Sequence, residues 1–420
     1  MVEFPLYNAA SFVLKNLWPE FSIEQAGRFT SVLASVLSAV FIFLLCREFI
    51  SRRVAIFAAI AFAVLPYNIF YGRVILPDPS MVATALGGLW FGAKFVTTQK
   101  KRFFLLSLIF GAASLLVKPY AIFILAPIAY FWVAGFGFNF RKILILGLWG
   151  IIILAPFLLW RTWISQFPEG IPASDWLLNG DGIRFKGAFW YWLFADRIGR
   201  LMLGYWGLAL VVMGIIRNQV GKYRFFPILF FSSSILYLMV FATGNVRHDY
   251  YQILLTPALA IFVGMGMDHL WGINIKARII ALIYLIFSIS FGWYFVRDFF
   301  NINHPEIVEA GQVFEKMTKD KAAKALVIAP YDGDTAFLYQ TNHKGWPIME
   351  GSIDEMIKRG AAYYVSVRFD DETKKILARS ETVESRLLRP SIPPKPFTIL
   401  AQTDQYVIVQ LVPDKQLQAN

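Results

Sequence analysis

Eight residues carry the chemistry that this sequence offers: the carboxylates Glu3 and Asp78, the cations Arg73, Lys118 and Arg247, and His248, Tyr250 and Tyr251. Carboxylates can orient or deprotonate a hydroxyl, and cations can absorb the charge that grows on a departing phosphate. Asp78 stands between Pro77 and Pro79, and prolines on both sides hold a carboxylate in one geometry. The bland alternative is a turn-forming aspartate with Arg73 reaching to the headgroups. Lys118 interrupts an apolar run at Lys118-Pro119, where a cation is costly unless paired. A substrate phosphate, a structural carboxylate or simple snorkelling would each satisfy it. In GNVRHDYYQILLTPALA (244–260), Arg247 and two tyrosine hydroxyls ahead of a helix can cradle an anion. The same tyrosines also fit an aromatic belt at the membrane surface.

The elements that must position these residues are membrane spans. Of 420 residues, 57% are hydrophobic and 16% charged, against about 25% charged in soluble domains. Stretches near the length of about 20 residues that a bilayer requires recur at 29–46, 54–70, 81–97, 103–117, 120–135, 143–160, 201–216, 225–241, 252–267 and 279–296. Residues 103–135 are too long for one helix, so Pro119 is expected to open the second arm of a hairpin. Alternate loops are basic (Arg47, Arg52 and Arg53; Lys100, Lys101 and Arg102; Arg141 and Lys142; Arg217, Lys222 and Arg224; Lys276 and Arg278) and are assigned to the cytoplasm. All eight singled-out residues then face outward. So does the longer loop 161–200, whose five cations mix with Glu169, Asp175, Asp181 and Asp196 and whose Trp163, Trp176, Trp190 and Trp192 favour an interface more than a sugar. Residues 6–18 read as a helix lying along the membrane surface.

From about residue 300 charges become frequent and apolar runs shrink to strand length, as at 323–329, 361–369 and 406–412. With helical stretches at 305–318 and 352–359, this predicts a small soluble α/β domain over 300–420, outside the cytoplasm, joined by the extended RPSIPPKP (389–396). The fold class is therefore an α-helical polytopic membrane protein of about ten transmembrane helices, 1–299, with a small C-terminal α/β domain. The net charge of +12 belongs to the loops of such a chain and not to a nucleic-acid surface. The single cysteine, Cys46, excludes an internal disulfide. Four scattered histidines lack the spacing of a zinc site, so no metal ligand is assigned; no cofactor is implied, and a divalent cation is left open.

Taken in order, EFPLY (3–7), AGRFTSVLASVLSAVFIFLLCREF (26–49), YGRVILPD (71–78), VKPYAIFILAP (117–127), RHDYYQILLTPALA (247–260) and FLYQTNHKGWP (337–347) resemble the integral-membrane glycosyltransferases that use polyprenyl-phosphate sugars. These are glycosyltransferase family 39, with the protein mannosyltransferases and aminoarabinose transferases, of GT-C-like fold. The resemblance implies a hexosyl- or pentosyltransferase of the cell envelope, moving a sugar from a polyprenyl-phosphate donor to a lipid, glycan or protein acceptor on the outer face of the plasma membrane, with inversion. It implies catalytic roles for Asp78 and Glu3 and substrate-binding roles for Arg73, Lys118, Arg247, His248, Tyr250 and Tyr251. In the family a further transmembrane helix and an outer-loop aspartate, the expected base, precede the EFP turn at which this chain starts. The expectation is thus an internal start, a remnant or a split partner, with Glu3 and Asp78 placed to substitute. A secondary transporter and a non-catalytic family remnant are the alternatives, but two related halves with mid-membrane charges, usual in transporters, are not seen.

Overall fold

The computed structural model describes residues 3–168, 176–217, 219–318, 325–388 and 393–413. The chain divides into two compact units, Met1–Asn301 and Ile302–Asn420. Among the described residues, helices form in each of the ten expected stretches, several of them broken or shifted. Ahead of them α1, Leu6–Leu17, lies along α2, Ile23–Phe49, tied by the Tyr7 hydroxyl donating to the Gly27 carbonyl at 2.8 Å and by Ser11 meeting Thr30 at 3.1 Å. Phe12, Val13 and Leu17 of α1 and the following Trp18 stay exposed. A reciprocal Ser22–Gln25 box satisfies two donors at the start of α2.

The second stretch is two helices, α3 (Arg52–Val64) and α4 (Pro66–Tyr71), broken where Pro66 forces Leu65 into extended backbone. Then come α5 (Asp78–Thr98) and α6 (Lys101–Val117). The return arm is a 3₁₀ turn at Pro119–Ala121 followed by α7 (Ile122–Leu125) and α8 (Pro127–Phe136), so the expected hairpin forms with proline at its first position. After α9 (Phe140–Ile164) come the short α10 (Trp176–Asn179) and α11 (Gly187–Tyr191) and an 11-residue π-helix, Trp192–Met202. Glu169 and Asp175 lie outside the described residues. The span expected at 201–216 begins later, as α12 (Gly207–Ile216), because the chain bends by 110° between the π-helix and α12. Next are α13 (Phe226–Val240), α14 (Ala242–Arg247), a 3₁₀ turn at Asp249–Leu255, α15 (Thr256–Trp271) and α16 (Ile275–Val296).

Among the described residues five helical stretches are long and apolar enough to cross a membrane alone, and the bent pair would make six. The others are shortened by proline breaks or carry polar residues that neighbouring helices cover. The most enclosed helix is α15, packed between α3 and α12. Small residues let these backbones touch: a methyl placed on Gly266 would sit 1.9 Å from the Leu210 carbonyl oxygen, and one on Gly214 would sit 2.2 Å from that of Phe262. Gly266→Ala should therefore force α12 and α15 apart and cost about 1–3 kcal/mol, measurable as a lower unfolding temperature in detergent. An unchanged transition would mean that the helices slide apart freely.

The second unit is a six-stranded mixed sheet in the order β2-β1-β3-β6-β5-β4, with β1 Leu326–Ile328, β2 Gly345–Trp346, β3 Ala361–Ser366, β4 Ser380–Thr382, β5 Phe397–Gln402 and β6 Val407–Gln410. β1 runs parallel to β2 and β3 and β4 parallel to β5, while β6 is antiparallel to β3 and β5. Every residue of β3 is buried, with Phe314 on one face and Ile376 and Met356 on the other. The helices are α17 (Pro305–Thr318), α18 (Ala336–Gln340), α19 (Ile353–Lys358), α20 (Asp371–Ala378) and α21 (Val383–Leu388). Strands were expected where β1, β3 and β6 form, but residues 323–324 and 389–392 of the expected segments lie outside the described residues. β2 and β4 were not expected, being two and three residues long, while β5 follows the 389–396 segment, after which the last strands were expected.

Candidate active site

Lys118 is the hub. It caps α6 with φ −154° and ψ 131°, the extended geometry that a following proline imposes, and this turns its side chain into the bundle. Its ammonium lies 2.9 Å from one carboxylate oxygen of Asp78 and 3.2 Å from the other, and 3.5 Å from Glu3. Asp78 and Lys118 are 2% and 5% exposed, whereas the Glu3 side chain keeps 40% of its surface. Asp78 opens α5, where the helix dipole also favours an anion. Glu3 is brought over by the Pro5 turn, with the Phe4 amide donating to the Leu116 carbonyl at 3.2 Å and the Phe4 ring edge-on to Trp160.

Tyr250 and Tyr251 close the other side, their ring centres 5.3 and 5.1 Å from the Lys118 nitrogen. His248 lies against both rings, and Arg247 stacks on Trp176 at 5.0 Å, next to His248. The structure thus brings together Glu3, Asp78, Lys118, Tyr250 and Tyr251, with His248 and Arg247 behind the tyrosines. Arg73 is placed differently: its guanidinium lies over the Phe300 ring at 4.4 Å, at the edge of an apolar groove of about 550 Å³ between α2, α3 and α4. A separate small cavity of about 10 Å³ shares Ser35, Asn68 and Gly72 with that groove and is also lined by Pro79, the residue after Asp78, and Ile253.

Burial opposes the charge on Lys118, but Asp78 and Glu3 outweigh it and hold the ammonium above the usual lysine range. Burial raises Glu3, and Lys118 only partly offsets this. Burial, then Lys118 and Arg247, lower His248, so its ring is neutral at pH 7. With Glu3 ionised, one cation faces two carboxylates and the cluster carries net charge −1.

Sequence reasoning missed what fixes the 247–252 segment. Arg197, projecting from the π-helix, meets the Asp249 carboxylate at 2.7 Å and stacks on Trp192, and the buried Tyr67 hydroxyl donates to the Asp249 carbonyl. The buried Gln252 amide donates to the Asn245 carbonyl at 2.6 Å and to that of His248 at 3.1 Å. The signal available was the acidic Asp249 beside two tyrosines, but its cation lies 52 positions upstream (249 − 197) in a loop of mixed charge.

The fold is that of the polytopic GT-C-type membrane glycosyltransferases. Residues 21–160, which hold Asp78 and Lys118, match the model of the family described as dolichyl-phosphate-mannose-protein mannosyltransferase. Among solved structures, the chain is similar to ArnT from Cupriavidus metallidurans bound to undecaprenyl phosphate, with 13% identity, TM-score 0.63, and coverage of 98% of this chain and 88% of that one. It is also similar to the arabinofuranosyltransferase AftD from Mycobacteria, with 14% identity, TM-score 0.60, and coverage of 98% of this chain and 35% of that one. No curated protein matches the chain by sequence. The matched segment and the shared fold bear out the resemblance read from the ordered motifs, and the chain is an integral membrane protein.

Proposed function

We propose that this protein transfers a glycosyl unit from a polyprenyl-phosphate donor to an acceptor hydroxyl at the outer face of the plasma membrane, inverting the anomeric centre. The observation that carries the reading is the pair of carboxylates on one buried ammonium, Asp78 at 2.9 Å and Glu3 at 3.5 Å from Lys118. The bond from the anomeric carbon to the phosphate oxygen breaks, and the bond to the acceptor oxygen forms. The acceptor proton passes to Glu3, the more accessible carboxylate. Asp78 keeps Lys118 in place and orients the acceptor. The donor phosphodiester carries −1 and becomes a phosphate at −2, while Glu3 goes from −1 to neutral. Net charge in the pocket is conserved, which suits a site with little water to rescue an imbalance.

The longer Glu3 contact is the one an arriving phosphate displaces, leaving Lys118 to hold the phosphate and Glu3 free to take the proton. The groove beside Arg73 supports the same reading, since an isoprenoid tail needs an apolar surface near the site, and this groove is lined by Val32, Val36, Val40, Phe43 and Ile69. Glu3 acts as a base and must be ionised. With its pKa raised by burial, turnover should fall as pH drops through that raised value, and Glu3→Gln should flatten this limb of the profile while lowering the plateau. An unaltered acid limb in the Glu3→Gln protein would assign the base elsewhere.

The outer placement of the second unit rests on the alternation of basic loops. Alkaline phosphatase fused after the last residue should be active in a bacterial host. A reporter that works only in the cytoplasm, active at the same point, would reverse the sidedness of every loop.

A further inference from the structure

At the opposite end of α15 the structure holds a second built cavity, of about 580 Å³, unrelated to the acid–lysine cluster. Eighteen residues separate Tyr250 from Asp268, roughly 27 Å of helix, so this site lies in the other half of the bilayer. Its upper wall is apolar, formed by Ile216, Ile228, Phe262 and Met265, and Ile216 and Ile228 are exposed at the helix surface, open to hydrocarbon. Its lower rim is polar, formed by Arg217, Gln219 and Arg224.

The rim is fixed by an ion triad. Asp268, 7% exposed, takes Arg217 at 2.5 Å and Arg53 at 3.0 Å, so two guanidiniums share one carboxylate and positive charge is left over. Arg224 stacks on Phe225 at 4.7 Å and has no carboxylate within ion-pair distance among the described residues. The side-chain nitrogen of Gln219 is buried with no hydrogen-bond partner among the described residues, a donor in need of an acceptor. An apolar wall open to lipid over a rim of surplus cations and one orphan donor is complementary to a phosphate headgroup with its chain running up the helix. Basic pockets of this kind at the cytoplasmic surface, where lipids are anionic, hold such headgroups.

We infer that the cavity between α12, α13 and α15 is a binding site for an anionic glycerophospholipid of the leaflet opposite the acid–lysine cluster, with its phosphate on Arg224 and Gln219 and one acyl chain along Ile216, Ile228 and Phe262. The inference stands whether or not the protein transfers sugars.

The test is native mass spectrometry of the full chain in detergent, titrated with phosphatidylglycerol, phosphatidylcholine or undecaprenyl phosphate. One phosphatidylglycerol should be retained, with at least tenfold weaker binding in Arg224→Glu, whose side chain is exposed and makes no ion pair among the described residues. Gln219→Leu should also weaken retention, while raising the unfolding temperature of the lipid-free protein because it removes a buried unsatisfied donor. Arg141→Glu, in another basic loop, should bind as the wild type does. Equal retention of phosphatidylcholine, unchanged binding by Arg224→Glu, or displacement of phosphatidylglycerol by an equal concentration of undecaprenyl phosphate would each overturn the assignment.

Discussion

Lys118→Ala is expected to destabilise the protein by about 3–5 kcal/mol and to abolish transfer, because it leaves Asp78 buried without its partner. The ammonium is in the first place a structural group: it neutralises a carboxylate that is 2% exposed and lies 3.5 Å from Glu3. A double substitution separates the two roles. Lys118→Met with Asp78→Leu removes both charges while roughly keeping the volume, and should recover most of the lost unfolding temperature. It should recover no transfer. Donor binding is the informative third readout, since in the proposed mechanism Lys118 meets the phosphate in ground and transition states alike. If Lys118→Ala were as stable as the wild type, the ion pair seen between α5 and the α6–α7 turn would not be the fold's anchor.

Asp78→Asn is expected to lower kcat by about 10²–10⁴-fold with a smaller change in KM. The amide keeps the shape and can still accept one hydrogen bond from Lys118. In the proposed mechanism, what it loses is the negative charge that fixes the ammonium as charge shifts from Glu3 to the departing phosphate. Part of the change also reaches stability, since Lys118 would then rely on Glu3 alone, so kcat must be compared at a temperature where both proteins are folded. A fall confined to KM would mean that Asp78 serves donor affinity and not turnover.

These expectations draw unequally on sequence and structure. The hydrophobic runs located the helical stretches of the first unit, because burial leaves a period and a length in the sequence. The residue types of the site were legible for the same reason: Asp78, Lys118 and Glu3 are conspicuous against an apolar background. Their pairing was not. Asp78 and Lys118 are 40 positions apart, and their contact depends on the antiparallel packing of α5 on α6, which approach closely where Gly88 faces Gly111. Arg73 shows the reverse case, since its chain neighbourhood points to Asp78 but its side chain settles on Phe300. The Arg197–Asp249 pair was hidden because a mixed-charge loop offers several partners of similar spacing, and only the π-helix, whose extra residue per turn re-aims side chains, selects Arg197. In the second unit, strands of two or three residues leave too short a pattern to read.

The most direct measurement follows both products of a single turnover. Wild-type protein in liposomes is given a polyprenyl-phosphate sugar labelled in the sugar, with a membrane-lipid extract as acceptor, and the polyprenyl phosphate and labelled product are quantified together. Equal amounts of free polyprenyl phosphate and labelled acceptor are expected from the wild type, with both forming about 10²–10⁴-fold more slowly in Asp78→Asn. Donor consumption at the same rate by wild-type and Asp78→Asn protein, or none by a wild type that binds the donor normally, would contradict the assignment of the Glu3–Lys118–Asp78 cluster as the site of glycosyl transfer.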